Sequence, residues 1–194
     1  SALKANVLNV LKPTLQRAAI EKKLKEQIPE AKSVQVSAPL LGRRPNIVIT
    51  MDEPAAVMRQ ANTQDLIVSE RGRLLLAATQ SKATTDLPVI TNNTGVTGKA
   101  GEQFLRPDDM SSLLLLMQQV KLSGSSASYI LPPQTREIIM LEPSRGVYQV
   151  RYLFGDTIIQ QFGAMRATQK KLQELGQTPA EYMDVRLGNK VFYK

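Results

Sequence analysis

The sequence predicts an α+β protein in two parts: a helix with a hairpin, then a mostly antiparallel β-domain with flanking helices. Three observations lead to this. Apolar residues recur at helical spacing over 14–28 and give way to two alternating segments. The pattern changes at Asp52, Glu53 and Pro54. Beyond that break, short strand-like runs alternate with turn residues and two amphipathic stretches. Domains are therefore expected at 1–54 and 55–194, and a chain of 194 residues can bury a core for such an arrangement.

In the first part, Leu15, Ala18, Ala19, Leu24 and Ile28 lie between lysines and glutamates, with Pro13 ahead and Pro29 behind. SVQVS at 33–37 and NIVITM at 46–51 alternate as strands do. Their connection over 39–45 is rich in turn residues and basic through Arg43 and Arg44, and its Pro and Gly forbid a regular strand.

The second part predicts strands over 55–59, 65–69 and 74–77, the last two joined by a tight turn at Glu70, Arg71, Gly72 and Arg73. Residues 81–101 are polar and turn-rich and read as a surface loop with one extended piece, LPVI at 87–90. Pro107, Asp108 and Asp109 open a helix that runs to 122, the aspartates placed to accept its first unpaired amides, and Gly124 stops it. A meander follows over 129–131, 137–141, 147–153 and 157–162, its last two strands joined by a two-residue turn at Gly155 and Asp156. A helix over about 165–175 ends at Gly176. The chain then extends over 182–186 and continues past Gly188 and Asn189 into 190–193.

Composition narrows the function. Cysteine and histidine are both absent, which removes thiolate chemistry, disulfides, sulfur-built metal sites, the commonest general base and the commonest transition-metal ligand. No enzyme, metal or cofactor is expected. Twenty-five Lys and Arg against 17 Asp and Glu give a net charge of +8, which suits an anionic partner. Aromatic residues are only 5 % and no long basic run occurs, so nucleic acid is not the expected one. No apolar run approaches the ~20 residues of a membrane span. The Ser-Ala start, without methionine or a signal pattern, predicts that a targeting segment lies upstream.

Local motifs have plain readings. TGVTGKAG at 94–101 has the flavour of a phosphate loop, but two residues separate its glycines where a Walker motif needs four, and Ala100 follows the lysine. Asp52 and Glu53 are strand neighbours that point to opposite faces, so they cannot converge on one proton or cation. Asn92, Asn93 and Thr94 form a glycosylation acceptor only formally. The apolar run 113–117 belongs in a core.

The order of the parts resembles the extracytoplasmic region of the bacterial cell-division family FtsQ/DivIB. The resemblance is carried by the helix and the hairpin ending in VITMDEP at 48–54, the strand-turn-strand about 70–73, and LPVI at 87–90. It continues in GEQF at 101–104, in FGDTIIQQFG at 154–163, and in YMDVR at 182–186, which is similar to the family's closing strand. It implies a POTRA-like first domain over 1–54 and an FtsQ/DivIB-type β-domain over 55–194. It also implies a non-enzymatic divisome scaffold, anchored by a single upstream membrane helix, with this region outside the cytoplasm at the division septum. Its partners would be proteins of the FtsB/DivIC and FtsL type, with no small-molecule substrate. The alternative reading is a basic adaptor for nucleic acid or anionic cell-wall polymer.

Within that frame the stretch from about Asp184 to Tyr193 is expected to be one edge strand that accepts a partner's strand. Its candidate contact residues are Asp184, Arg186, Leu187, Lys190, Val191, Phe192 and Tyr193. Alternation sets Val191 and Tyr193 on one side and Phe192 on the other; the competing expectation is that Phe192 and Tyr193 close the core.

Overall fold

The structure is a computed structural model that describes residues 17–28, 30–37, 46–61, 63–80, 86–134, 136–145, 148–188 and 190–194. It is α+β, and the chain divides into two compact units, residues 1–53 and 54–194. The predicted helix start at Thr14, the connection through Arg43 and Arg44, and the turn residues Gly146 and Asn189 lie outside the described residues.

In the first unit residues 17–27 are helical (α1), followed by β1 (Ala31–Ser37) and β2 (Asn46–Met51). The strands pair antiparallel, Val36 opposite Ile47 and Gln35 opposite Val48. The Val36 amide donates to Glu21 Oε1 at 2.8 Å, so α1 occupies one outer hydrogen-bonding position of β1. Every residue of β2 is exposed.

The second unit holds β3 (Pro54–Gln60), β4 (Leu66–Ser69), β5 (Leu74–Ala77), β6 (Val89–Asn92), β7 (Ser128–Leu131), β8 (Glu137–Leu141), β9 (Gln149–Leu153), β10 (Tyr182–Asp184) and β11 (Phe192–Tyr193). They make one nine-stranded sheet in the order β11-β10-β9-β8-β7-β6-β3-β4-β5. The sheet is mixed. β6 runs parallel to both β3 and β7, and β10 runs parallel to β9, while the remaining neighbours are antiparallel. The piece expected in a surface loop at 87–90 is thus a central strand: Ile90 is fully buried and the ladder continues through Thr91 and Asn92. Residues 81–85 lie outside the description.

Two helices pack on this sheet: α2 (Pro107–Leu122) and α3 (Ile158–Glu174). Met110, Leu113, Leu116 and Val120 from α2 and Ile158, Phe162, Met165 and Leu172 from α3 join Met58, Ile90, Tyr129, Ile138, Met140, Val150 and Tyr152 in one core. Each such fully buried apolar side chain stabilises the fold by about 1.5–3 kcal/mol. Strands β8 and β9 alternate, Ile138, Met140, Val150 and Tyr152 buried and their neighbours only partly covered, as strands with helices on one face do.

Two local expectations are corrected. Residues 157–162 are not a strand, because α3 begins at Ile158 and runs through Gly163. Gln161 explains why: its side chain accepts from the Leu153 amide at 2.8 Å and donates to the Leu153 carbonyl at 2.9 Å. A helix side chain thereby satisfies the backbone end of β9 that a hairpin strand would otherwise have paired. The acidic start of α2 is the second case. The N-cap is Arg106, with no side-chain cap, and Asp109 instead accepts from Arg106 Nε at 2.8 Å and Nη2 at 3.1 Å.

Candidate partner-binding edge

The residues named for partner binding do not form one strand. Tyr182–Asp184 lies parallel to β9, the chain turns at Arg186, Leu187 and Gly188, and Phe192–Tyr193 returns antiparallel on the outer side of β10. Gly188 has φ +67, a left-handed conformation that favours glycine, so the break predicted at Gly188 and Asn189 becomes a reversal. β10 is therefore covered, and β11 is the last strand of the sheet.

Register decides which backbone groups β11 offers. Met183 stands opposite Tyr193 and Asp184 opposite Phe192. The Lys194 amide donates to the Tyr182 carbonyl at 3.1 Å, and the Lys194 carbonyl accepts from the amides of Ala180 and Glu181, each at 2.7 Å. In an antiparallel ladder successive residues turn their amide and carbonyl to opposite sides. Lys194 and Phe192 therefore point theirs at β10, and Tyr193 points its own away. That outward pair is the kind of group an added strand bonds.

The side chains around it are apolar and basic. Phe192 is 52 % exposed, Tyr193 50 % and Leu187 64 %, so Phe192 and Tyr193 do not close the core. Val191 is half-buried and packs against the core. Val191 and Tyr193 together border a surface hollow of about 380 Å³ whose other wall is α3, through Ala164 and Lys171, and its C-cap Leu175. Lys190 is exposed, and the Lys194 ammonium lies 2.7 Å from Glu181.

Asp184 and Arg186 have a different part. The Arg186 guanidinium donates from Nε to Asp184 Oδ1 at 2.9 Å and from Nη2 to Asp184 Oδ2 at 2.5 Å, and through Nη1 it bonds Glu137 at the start of β8. One guanidinium thus ties the turn between β10 and β11 to a strand two places further into the sheet. Partial burial pushes the Asp184 carboxyl up, but hydrogen bonds from the Arg186 side chain and amide, with the charges of Arg186 and Arg151, outweigh it and hold the group below its ordinary range. The bond to Asp184 likewise holds Arg186 more firmly protonated. The pair braces the hairpin, and the exposed surface is Leu187, Lys190, Phe192 and Tyr193.

Sequence reasoning missed Glu137, the far anchor of this brace. Its signal was only an acidic residue opening a strand, and the 49-residue separation from Arg186 hid the pairing. Among the described residues no group of three or more acidic side chains could hold a metal ion, and no helix is long and apolar enough to cross a membrane. No protein-family model and no curated protein matches this sequence.

Proposed function

We propose that this chain is a non-enzymatic scaffold of the division septum, the extracytoplasmic part of a bitopic protein of FtsQ/DivIB type. In this reading the first unit is POTRA-like and the second is the family's β-domain. β11 receives a strand from a coiled-coil partner of FtsB/DivIC type, in an assembly that also takes in an FtsL-type protein and helps to coordinate septal wall synthesis. The observation that carries the reading is the outward-facing amide and carbonyl of Tyr193 on the last strand of the sheet, flanked by exposed Phe192 and Leu187. The order of motifs along the chain supports the family, and the basic residues beside the edge suit an acidic amphipathic partner.

The test is titration of the chain with such a partner's soluble segment, followed by calorimetry, for the wild type and Tyr193→Pro. Proline at 193 removes the outward N–H and leaves the Lys194 and Phe192 bonds to β10 in place. Affinity is expected to fall at least about tenfold, which is about 1.4 kcal/mol, with the fold retained. Equal affinity for both proteins would move the interface elsewhere. A steep loss of binding with salt and indifference to Tyr193→Pro would instead favour the anionic-polymer adaptor.

A further inference from the structure

We infer that the second unit carries a peptide-binding pocket at the carboxyl ends of its parallel strands, distinct from the β11 edge. It suits a segment of a partner protein in which one acidic side chain stands between apolar ones. The pocket has a volume of about 650 Å³, within the range of sites that bind ligands of a few residues. It lies where β6 and β7 end, at Asn92 and Leu131, a position where parallel sheets commonly place ligands. Phe104, Leu131, Pro132 and Phe154 give it an apolar wall, and Arg106 and Arg136 stand among its charged groups.

The pocket is held in shape by the protein itself. Gln60 donates to the Gly98 carbonyl at 3.3 Å and accepts from the Gly98 amide at 2.8 Å, and Asn92 donates to the Val96 carbonyl at 2.7 Å. Buried strand-end amides thus fix the loop that forms one rim, and a Cβ on Gly98 would collide with Leu74 and Phe104. The pocket's carboxylates are engaged: Asp109 by Arg106, Glu137 by Arg186, and Glu102 by the Lys99 amide at 2.8 Å.

Arg136 is held more loosely than these, by one long ion pair and one long hydrogen bond. Its closest approach to a carboxylate is 3.9 Å, to Asp109, and it makes one longer hydrogen bond of 3.3 Å to the Phe154 carbonyl. Its side chain is 53 % exposed and lines the pocket, and a guanidinium with five N–H donors has donors left for a ligand there. Its backbone also has φ +65, and it is the one non-glycine residue with positive φ among those described. Glycine would sit there at lower cost, so this turn carries a strain that Arg136→Gly would relieve. A peptide carboxylate can take the open face of that guanidinium while its apolar neighbours rest on half-buried Phe104 and exposed Val96.

The experiment measures fluorescence anisotropy of a fluorescein-labelled peptide, Ac-Leu-Glu-Phe-Leu-amide, titrated with the full 194-residue chain. A second peptide carries Gln for Glu. Saturable binding of the Glu peptide is expected, weakened about tenfold by the Gln exchange. Arg136→Gly is expected to unfold at the same or a higher temperature, bind the Glu peptide about tenfold less well, and no longer distinguish Glu from Gln. Val96→Glu, at an exposed rim residue, should weaken the Glu peptide without altering thermal stability. No saturation below millimolar protein, or binding indifferent to both substitutions, would overturn the inference. So would displacement of the peptide by equimolar octanoate, which would mark a site for small carboxylates. Because Tyr193 lies outside the pocket, Tyr193→Pro should leave this binding unchanged, so failure here is separable from failure of the β11 interface.

Discussion

The two ends of the nine-stranded sheet are treated differently. At one end β5 is buried: Leu74, Leu75 and Ala77 are each at most 4 % exposed. The outer hydrogen-bonding groups of Leu74 are taken by the following loop, through Leu74 N to Glu102 O at 2.8 Å and Gly101 N to Leu74 O at 2.7 Å, with Arg73 bridged to Gln103. At the other end β11 has two residues, both half exposed, and Tyr193 turns its backbone outward. An edge covered by its own chain is protected from strangers, whereas a short, exposed edge is a place for one. The β5 end is closed by its own chain, and the β11 end is the one at which the proposed partner strand would add.

The largest expected effect breaks the closed end. Gly72 has φ +76, and a Cβ there would run into the Leu105 carbonyl, which accepts no displacement without moving the covering loop. Gly72→Val should destabilise the second unit by about 3 kcal/mol or more in urea unfolding, and should add concentration-dependent association as β5 is uncovered. A change below about 1 kcal/mol would mean that the loop is not what closes this edge.

Next comes the brace behind β11. Arg186→Met leaves Asp184 and Glu137 without their shared cation, and should cost about 1–2 kcal/mol, discounted for partial exposure. Amide exchange in β10 and β11 should rise before that in β8. The same network has a pH signature. The folded Asp184 carboxyl titrates below its ordinary value, so its contribution is fully present above the unfolded value near 3.8 and is lost as pH falls through the lower folded value. Wild type minus Asp184→Asn should therefore show a stability difference that is flat at neutral pH and shrinks below about pH 4. The smallest effect is Phe192→Ala: stability should change by no more than about 0.5 kcal/mol because the ring is half exposed, while partner affinity falls.

The contrast between the ends was unevenly legible. The β4–β5 turn could be read from Glu70, Arg71, Gly72 and Arg73, because a tight turn is a local matter of glycine and charge. The cover over β5 could not, because it depends on a loop more than twenty residues on reaching Gly72. Residues 157–162 misled for a similar reason. Thr157, Ile158 and Ile159 after Gly155 and Asp156 look like a hairpin strand, yet Ile158, Phe162 and Met165 lie on one helical face, and Gln161 makes the helix consistent with β9. β6 is short and sits amid turn residues, so its central place is set by its neighbours β3 and β7. At the candidate site the exposed aromatics near the end were legible. The split into β10 and β11, and Glu137 as the anchor of Arg186, needed the three-dimensional fold.

If β11 is an open edge that a partner strand completes, the exchange of two neighbouring amides reports it. Hydrogen exchange followed by NMR would be recorded for Phe192 and Tyr193, with and without a soluble coiled-coil partner segment of FtsB/DivIC type. The Phe192 amide faces β10 and should be protected in both states; the Tyr193 amide should exchange freely alone and become protected on binding. A saturating partner that leaves the Tyr193 amide exchanging at its free rate would mean that no strand adds to β11.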